Sequence, residues 1–384
     1  MTIYWATKLR GFLRHISERM DQVEFVSEQQ YYEVSTLSRK IKSKLIRAKL
    51  FDYFGLFQIL KVSDKPCDYY GSYNRFLKAD KPYFIYLENP TALYHYALGR
   101  VRFGIGKYRF RKCLEDPNLK YIVCMANACR DTFETVNMPL PGHSKITTIY
   151  PLVPENPHIS PERIVEQCSR ETMECLLCVQ GKRFLTKGGL DVLEAADRLV
   201  KAGCRLHLTL ITKIEELDEP VLKRIREYTF VSLYDFHFSY DELESIYANT
   251  DVLLQPSSDD SCSLTVLEAM KGGCAIIGSK LYAFKELVED GGNGILIDPK
   301  YWIYTPDDIP NPAAWKRSKK LKLSRKRDEA YICRIEHAIR ELYVDREKLC
   351  RYACRSLELA NTKFGEMTIC KQWNEVWASL EGKD

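Results

Sequence analysis

The sequence predicts an α/β chain of two Rossmann-like, doubly wound domains, on the strength of three observations. Its 384 residues exceed one ordinary core, since domains usually hold about 100–200 residues. From about residue 175, short apolar runs alternate with amphipathic segments, which is typical of a parallel sheet covered by helices. A Pro-rich stretch from Pro151 to Pro161 separates this half from the first. We therefore expect a first domain over residues 1–155 and a second over residues 156–355.

The first half contains three clear strand candidates. These are PYFIYLE (82–88), KYIVCMA (120–126) and KITTIYP (145–151), with helical segments between them. Residues 1–80 are less regular and yield no assignment.

The second half has a regular succession of elements. One helix is predicted over 189–202, where Leu190 and Leu193 begin an apolar face, and another over 241–249, where Ser239 and Glu242 form a capping box. Strands are predicted near 175–179, 205–211, 229–233, 251–255, 274–278 and 294–297.

The turn 257–263 and the helix after it are the most informative part of the chain. The turn is rich in Ser and Asp, and the helix Leu264 to Lys271 is closed by two glycines. The start of such a helix presents free amide N–H groups and a positive dipole end to an anion. Asp260 lies before this helix and Glu268, eight residues further on, lies inside it, so they can bracket a phosphate-linked sugar. Ligands of doubly wound sheets bind at the carboxyl ends of the strands, which is where this turn falls.

Three segments resemble retaining glycosyltransferases of the GT-B fold, glycosyltransferase family 4. PSSDDSCSLTVLEAMKGGCAIIG, beginning at Pro256, is similar to their acidic-x7-Glu signature. GKRFLTKGGLDVLEAADRL (181–199) resembles their Gly-Arg-Leu-x3-Lys-Gly segment. FGEMTICKQWNEVW (364–377) resembles the helix that ends these chains. The resemblance implies two domains facing a central cleft, with residues 356–384 returning to the first domain.

The resemblance also implies a nucleoside-diphosphate-sugar donor and assigns roles to several residues. Lys187, with Arg183 or Lys182, would hold the diphosphate, because a fixed cationic clamp stabilises the charge on a departing phosphate. Glu268 would hold the ribose hydroxyls. Asp260 stands where the family usually has Glu and would face the transferred sugar. The alternatives are solvated loop cations, an ordinary surface Glu and an Asp that merely caps the helix.

Further candidates surround these residues. The amides of Ser263 and Leu264 would contact the diphosphate, although Cys262 and Ser263 replace the family's Phe-Gly. In the first domain, the strand PYFIYLE runs into Glu88 and Asn89, and Glu88 or Asn89 would take the position at which relatives contact the donor sugar.

We predict no metal and no cofactor besides the donor substrate. No Asp-x-Asp motif stands at a convincing strand end; of the two Asp-Asp pairs, Asp259-Asp260 belongs to the signature and Asp307-Asp308 lies in a Pro-rich loop. A cationic clamp and a helix N-terminus can replace the metal. The lone CxxC of Cys175 and Cys178 lies in an apolar run and is interpreted as core.

Composition bounds the location of the protein. We find neither a signal peptide nor an apolar run of 18 residues, and fourteen cysteines fit a reducing compartment, so we expect a cytoplasmic protein.

The formal net charge is +5, but residues 316–327 (KRSKKLKLSRKR) alone hold eight Lys and Arg. This local basicity argues against a nucleic-acid-binding surface. With Trp315 and interleaved leucines, residues 315–327 either rest on an anionic membrane surface or form a disordered, solvated insertion.

The function that we predict is transfer of a sugar from a nucleoside-diphosphate donor to a glycan or lipid-linked acceptor. Retention of anomeric configuration is implied by the resemblance alone, as is a place in polysaccharide or glycoconjugate biosynthesis. One alternative is a non-catalytic subunit that binds nucleotide sugars or a partner. A weaker one is a sugar-nucleotide epimerase.

Overall fold

The computed structural model describes residues 1–28, 49–102, 104–136 and 139–382, which form two compact units. The first unit combines Met1–Leu152 with Met367–Asp384, and the second is Val153–Glu366. The C-terminal segment that belongs to the first unit therefore starts at residue 367, whereas the sequence predicted residue 356. The reason is that the helix before it, Arg346–Asn361, packs within the second unit.

The first unit is built on parallel strands, some of them in the region where the sequence indicated none. Its strands are β1 (Thr2–Trp5), β2 (Glu24–Val26), β3 (Ile59–Val62), β4 (Tyr69–Tyr73), β5 (Phe76–Ala79), β6 (Tyr83–Leu87), β7 (Leu119–Cys124) and β8 (Lys145–Thr148). Its helices are α1 (Gly11–Glu18), α2 (Lys49–Tyr53), α3 (Gly104–Leu114), α4 (Asn127–Val136) and α14 (Glu366–Leu380). The main sheet has the order β2-β1-β4-β6-β7-β8, and β3 pairs with β5 separately.

Tryptophans attach α14 to this sheet. Trp373 and Trp377 stack on each other at 4.8 Å between ring centroids, and both meet Phe84 of β6 edge-on. Trp5 of β1 packs against the same phenylalanine at 5.4 Å. Since aromatic side chains bury large areas, this cluster forms much of the core of the first unit.

The second unit is a Rossmann domain in strand order as well as in layering. Its strands are β9 (Met173–Cys178), β10 (Leu206–Ile211), β11 (Val231–Tyr234), β12 (Val252–Gln255), β13 (Ala275–Ser279) and β14 (Gly294–Ile297). Its helices are α5 (Pro161–Cys168), α6 (Gly189–Lys201), α7 (Glu219–Glu227), α8 (Tyr240–Ala248), α9 (Leu264–Lys271), α10 (Phe284–Leu287), α11 (Arg317–Arg325), α12 (Glu329–Val344) and α13 (Arg346–Asn361). The order β11-β10-β9-β12-β13-β14, parallel throughout, corresponds to the dinucleotide-binding order 3-2-1-4-5-6.

The predicted fold class is confirmed, as are the details that local patterns specify. Ser239 and Glu242 form the expected capping box at the start of α8. Cys175 and Cys178 are buried and form no disulfide, as expected for core residues. Burial raises the pKa of the Cys178 thiol to about 12, so it stays protonated.

The order of the second sheet determines where a ligand belongs. Strands β9 and β12 are neighbours, and the chain proceeds outwards from them in opposite directions. This reversal creates a crevice at their carboxyl ends, where doubly wound sheets bind ligands. The loops that leave these two strands, 179–188 and 256–263, carry the two motifs found in the sequence.

The basic segment is ordered, so the interpretation of a disordered insertion is wrong. Residues Arg317–Arg325 form α11, and Ser324 hydrogen-bonds to Tyr301 at 2.9 Å. Within the part of the chain that the structure describes, no helix combines the length and apolar character needed to cross a membrane.

Candidate active site

The two motif loops lie in direct contact. The amide of Ser258 donates to the carbonyl of Thr186 at 3.0 Å. Gly188 has a φ of +81°, and a Cβ at this position would lie 2.7 Å from the carbonyl oxygen of Pro256. Only glycine suits this approach, which explains the Lys-Gly pair in the sequence.

Lys187 and Asp260 form a buried ion pair between the loops. The Lys187 ammonium donates directly to the Asp260 carboxylate, and both residues are less than 9% exposed. The interpretation of Lys187 as a solvated loop cation is therefore wrong. Asp260 does not cap α9 either: one of its oxygens binds Lys187 and the other accepts from the amide of Ser261 at 3.1 Å.

Asp259 lies between two cations. Lys320 Nζ is 2.6 Å from one carboxylate oxygen, and Arg183 Nη2 is 3.7 Å from the other. Burial acts to raise the pKa of Asp259, but the charges of Lys320 and Arg183 overcome it and hold this pKa below its usual value. Asp259 is therefore a charged carboxylate and not the cap of α9.

The structure separates the two basic candidates of the first loop. Lys182 turns to Glu216, with 2.8 Å between Nζ and the carboxylate. Arg183 turns towards the second loop through Asp259. Of the two, Arg183 is therefore the one that the geometry brings to the second motif loop.

Ser263 is the N-cap residue of α9, in an extended conformation and without a side-chain capping bond. The first amides of a helix have no carbonyl partner within it. The amides of Leu264 and its neighbours begin the helix a few residues after Asp260, and their contact with an anion stays a prediction.

Glu268 lies farther along α9, half-buried, and accepts a hydrogen bond from the Tyr247 hydroxyl at 2.9 Å. Burial raises the pKa of Glu268, and the charge of Glu244 adds to this, while the Tyr247 hydrogen bond opposes it. Sequence reasoning missed Tyr247, since it comes from α8 and no local motif marks it. A small pocket reaches this carboxylate; it is lined by Val153, Pro154, Asn156, Tyr240, Leu243, Glu244, Tyr247, Glu268 and Lys271.

Glu88 lies in the first unit, just after β6. Its carboxylate accepts from the hydroxyl of Tyr73 at 2.9 Å, and its amide donates to Asn74 at the same distance. These bonds hold it firmly at the carboxyl end of the first sheet. Its contact with a donor sugar stays a prediction.

One cluster among the described residues has the composition of a metal site. Ligand atoms of His158, Asp241 and Glu244 lie within 4.8 Å of one another. His158 and Asp241 already hydrogen-bond at 3.0 Å, and Asp241 is exposed. The cluster is separate in sequence from both motif loops, and a metal-independent reaction stays a prediction.

Comparisons with known proteins support the class of protein that the site indicates. Residues 176–305 match the family model for group 1 glycosyl transferases. A segment of 65 residues is 34% identical to D-inositol 3-phosphate glycosyltransferase of Corynebacterium urealyticum. That segment is 16% of this chain and 15% of the relative, so the match spans only a small part of either protein. The region that matches the family model, residues 176–305, includes both motif loops, so this part of the chain is similar to group 1 glycosyl transferases.

Solved structures resemble the whole chain in fold. Anabaena HepE in complex with UDP-glucose has a TM-score of 0.57 at 14% identity, over 98% of this chain and 99% of that one. Sucrose-phosphate synthase from Thermosynechococcus elongatus has a TM-score of 0.64 at 11% identity, with full coverage of both chains. WaaG, a glycosyltransferase involved in lipopolysaccharide biosynthesis, has a TM-score of 0.57 at 14% identity, over 97% and 98%. Together they confirm the GT-B fold class.

Proposed function

We propose that this protein transfers a sugar from a nucleoside-diphosphate donor to a glycan or lipid-linked acceptor, with retention and without a metal. The observation that carries the proposal is the buried pair of Lys187 and Asp260, held between two loops at the switch point of a Rossmann sheet. The complexes of HepE with UDP-glucose and UDP support the donor class.

The geometry of the pair suits this reaction. An ammonium group has three donors, so Lys187 can keep its bond to Asp260 and still donate to a phosphate oxygen. Arg183 and the first amides of α9 add further donors for the same diphosphate. The negative charge that develops on the departing phosphate is thereby met by groups that are already in place.

Glu268 and Asp260 would contact different parts of the donor. Glu268 would accept from the ribose hydroxyls, with Tyr247 fixing its orientation. Asp260 would face the sugar and stabilise the positive charge at the anomeric carbon. The bond from that carbon to the phosphate oxygen breaks, a bond to the acceptor oxygen forms, and the acceptor proton passes to the leaving phosphate.

Thermal unfolding with a panel of nucleoside diphosphates and their sugars tests the proposal, first with EDTA present and then with a divalent metal in place of the EDTA. A ligand that binds only the native protein raises the midpoint. We expect one nucleotide to raise it most, and we expect Glu268→Ala to remove this shift. Glu227→Ala, an exposed glutamate at the end of α7, is the matched control and should keep the shift.

Two outcomes would contradict the proposal. If no member of the panel shifts the midpoint, a non-catalytic subunit becomes the better hypothesis. If the donor alone yields a free, altered sugar nucleotide, the protein is an epimerase. A shift that requires added divalent metal would contradict the metal-independent mechanism alone.

A further inference from the structure

Exposed apolar side chains are concentrated at one place on the first unit, where α2 meets α3. Each of them lies within two residues of Gly55 or Gly106, and the two backbones are in contact there, since a Cβ added to Gly55 would collide with the Cα of Gly106. Single exposed apolar residues are ordinary, whereas a group at one place marks a surface that meets another molecule. We call this group the apolar patch; its members, exposed by 80%, 43%, 53% and 62% in this order, are Tyr53, Phe54, Ile105 and Tyr108.

Buried contacts hold α2 and α3 together beneath the apolar patch. The buried side chain of Arg100 donates to the Asp52 carboxylate at 2.8 Å, which ties α2 to the turn that leads into α3. A Cβ at Gly106 would collide with the carbonyl oxygen of Arg100, so only glycine allows this approach. On the inner side of α3, Phe110 packs edge-on against Phe76 at 5.5 Å between ring centroids. The apolar patch therefore lies on a packed support.

Cations share the outward face of α3 with the apolar patch. Residues 102–114 hold five Lys and Arg and no Asp or Glu. Ile105, Tyr108 and Lys112 follow one another at spacings of three and four, which places them on the same side of a helix. The ammonium of Lys112 accordingly lies 5.7 Å from the centroid of the Tyr108 ring. Apolar and cationic groups are thus adjacent on one exposed surface.

The positive charge of this surface is only partly neutralised. Arg111 and Lys112 both pair with Glu115, at 2.6 and 3.3 Å. Lys107 and Arg109 are exposed and form no salt bridge within the described part of the chain. Four cations of α3 therefore face one carboxylate, and the excess of positive charge favours an anionic partner.

An anionic lipid surface suits both the apolar patch and the cations around it. Aromatic and aliphatic side chains can enter the boundary between headgroups and acyl chains, while Lys and Arg extend to the lipid phosphates. A nucleic acid would match the cations, but it would leave the aliphatic side chain of Ile105 against a charged backbone. Helix α11 of the second unit is also basic, but Leu323 is the only large apolar side chain exposed among its residues, all of which the structure describes.

We propose that the apolar patch and the cations of α3 form a surface that binds an anionic membrane; this inference goes beyond the proposed function and does not depend on it. Lys107 and Arg109 attract the protein to the lipid phosphates. Ile105 and Tyr108 then insert between the headgroups. Binding therefore combines an electrostatic part, which salt screens, with an apolar part, which salt does not screen.

Sedimentation of the full chain with vesicles tests this surface. The vesicles hold equal parts of phosphatidylcholine and anionic phosphatidylglycerol, and vesicles of phosphatidylcholine alone are the reference. We expect Lys107→Gln/Arg109→Gln to bind the anionic vesicles about thirtyfold more weakly, since each cation near an anionic surface contributes about fivefold. We expect Tyr53→Ser/Tyr108→Ser to bind about tenfold more weakly, because two aromatic side chains no longer leave water.

Two matched variants control for the number of charges and of aromatic side chains. Lys319→Gln/Lys322→Gln removes two exposed cations from α11. Tyr234→Ser/Phe236→Ser removes two exposed aromatic side chains from the second unit. Both should keep the affinity of the natural protein for the anionic vesicles. All the substituted side chains are exposed, so the variants should fold as the natural protein does.

Four results would overturn the inference. The first is absence of binding to anionic vesicles, and the second is equal binding to phosphatidylcholine alone. The third is a loss in the α11 variant as large as that in the α3 variant, which would indicate a response to total charge or a membrane contact of α11. The fourth comes from sedimentation velocity without vesicles: if Tyr53→Ser/Tyr108→Ser converts a dimer into a monomer, the apolar patch is an interface between two copies of this chain.

The nucleotide panel separates this inference from the proposed function. The α3 variants should show the same rise of the unfolding midpoint with nucleotide as the natural protein, since the proposed donor contacts include no residue of α3. If vesicle binding follows the expected pattern while no nucleotide binds, the proposed function fails alone. If nucleotides bind while the vesicles do not, the membrane surface fails alone.

Discussion

Replacing Lys187 by Met should separate the structural and the chemical roles of the buried pair. Both partners are less than 9% exposed, so the substitution leaves Asp260 as a buried carboxylate without a cation. Removing one partner of a buried pair costs about 3–5 kcal/mol. For a unit of this size, each kcal/mol lowers the unfolding midpoint by roughly 2–4 °C, so we expect a fall of about 10 °C.

Differential scanning calorimetry at several pH values measures this effect. Protonation stabilises a buried carboxylate that has lost its cation, so the deficit of Lys187→Met should be largest near neutral pH and shrink in acid. The double variant Lys187→Met/Asp260→Asn removes the unpaired charge and should recover most of the midpoint. It should still transfer no sugar, since the phosphate clamp is absent.

Two results would refute this reasoning. An unchanged midpoint for Lys187→Met near neutral pH would mean that the pair is not a buried charge pair. Full transfer activity in the double variant would mean that neither residue serves the chemistry. A stable but inactive double variant is the outcome that the structure predicts.

Three further predictions use matched positions or a pH series. Arg183→Ala should weaken donor binding, measured by titration calorimetry, about tenfold. Lys182→Ala should leave the donor affinity unchanged, because the Lys182 ammonium pairs with Glu216. Gly188→Ala should lower the free energy of unfolding by about 1–2 kcal/mol or more and weaken donor binding, because residue 188 has a left-handed backbone conformation and its new Cβ would meet the carbonyl oxygen of Pro256. Gly142→Ala, whose Cβ would meet nothing, should have little effect on stability or binding. Equal effects of the two substitutions would contradict the packing argument. Burial raises the pKa of Asp251 to about 6, so its stabilising contribution is complete in acid and is lost as the pH rises through that value. Denaturant unfolding should show that the free energy of unfolding of Asp251→Asn rises relative to that of the natural protein over that range. Parallel pH profiles of the two proteins would count against this prediction.

The sequence was a good guide where structure depends on local patterns. From the period of apolar residues in the second unit, β14 was predicted at residues 294–297 and the start of α6 at Gly189, and the structure has both at these positions. Capping chemistry placed the start of α8. The two motif loops were recognised because the residues of each motif are contiguous in the sequence.

It was a poor guide where partners are distant or elements are short. Strands such as Thr2–Trp5 and Glu24–Val26 have three or four residues, too few for an alternating pattern to show. Lys320 meets Asp259 across 61 positions, and Tyr247 meets Glu268 across 21. No local signal reports such pairs, because tertiary packing alone brings them together.

The placement of residues 367 onwards has a consequence for how the protein is made. During synthesis the strands of the first unit leave the ribosome before the whole of the second unit, yet Trp373 and Trp377, which pack on Phe84, are made only afterwards. An N-terminal nascent chain would therefore hold an uncovered aromatic surface while its neighbour folds. Chaperone dependence should follow from this delay, and a circular permutant that moves α14 ahead of β1 should reduce it.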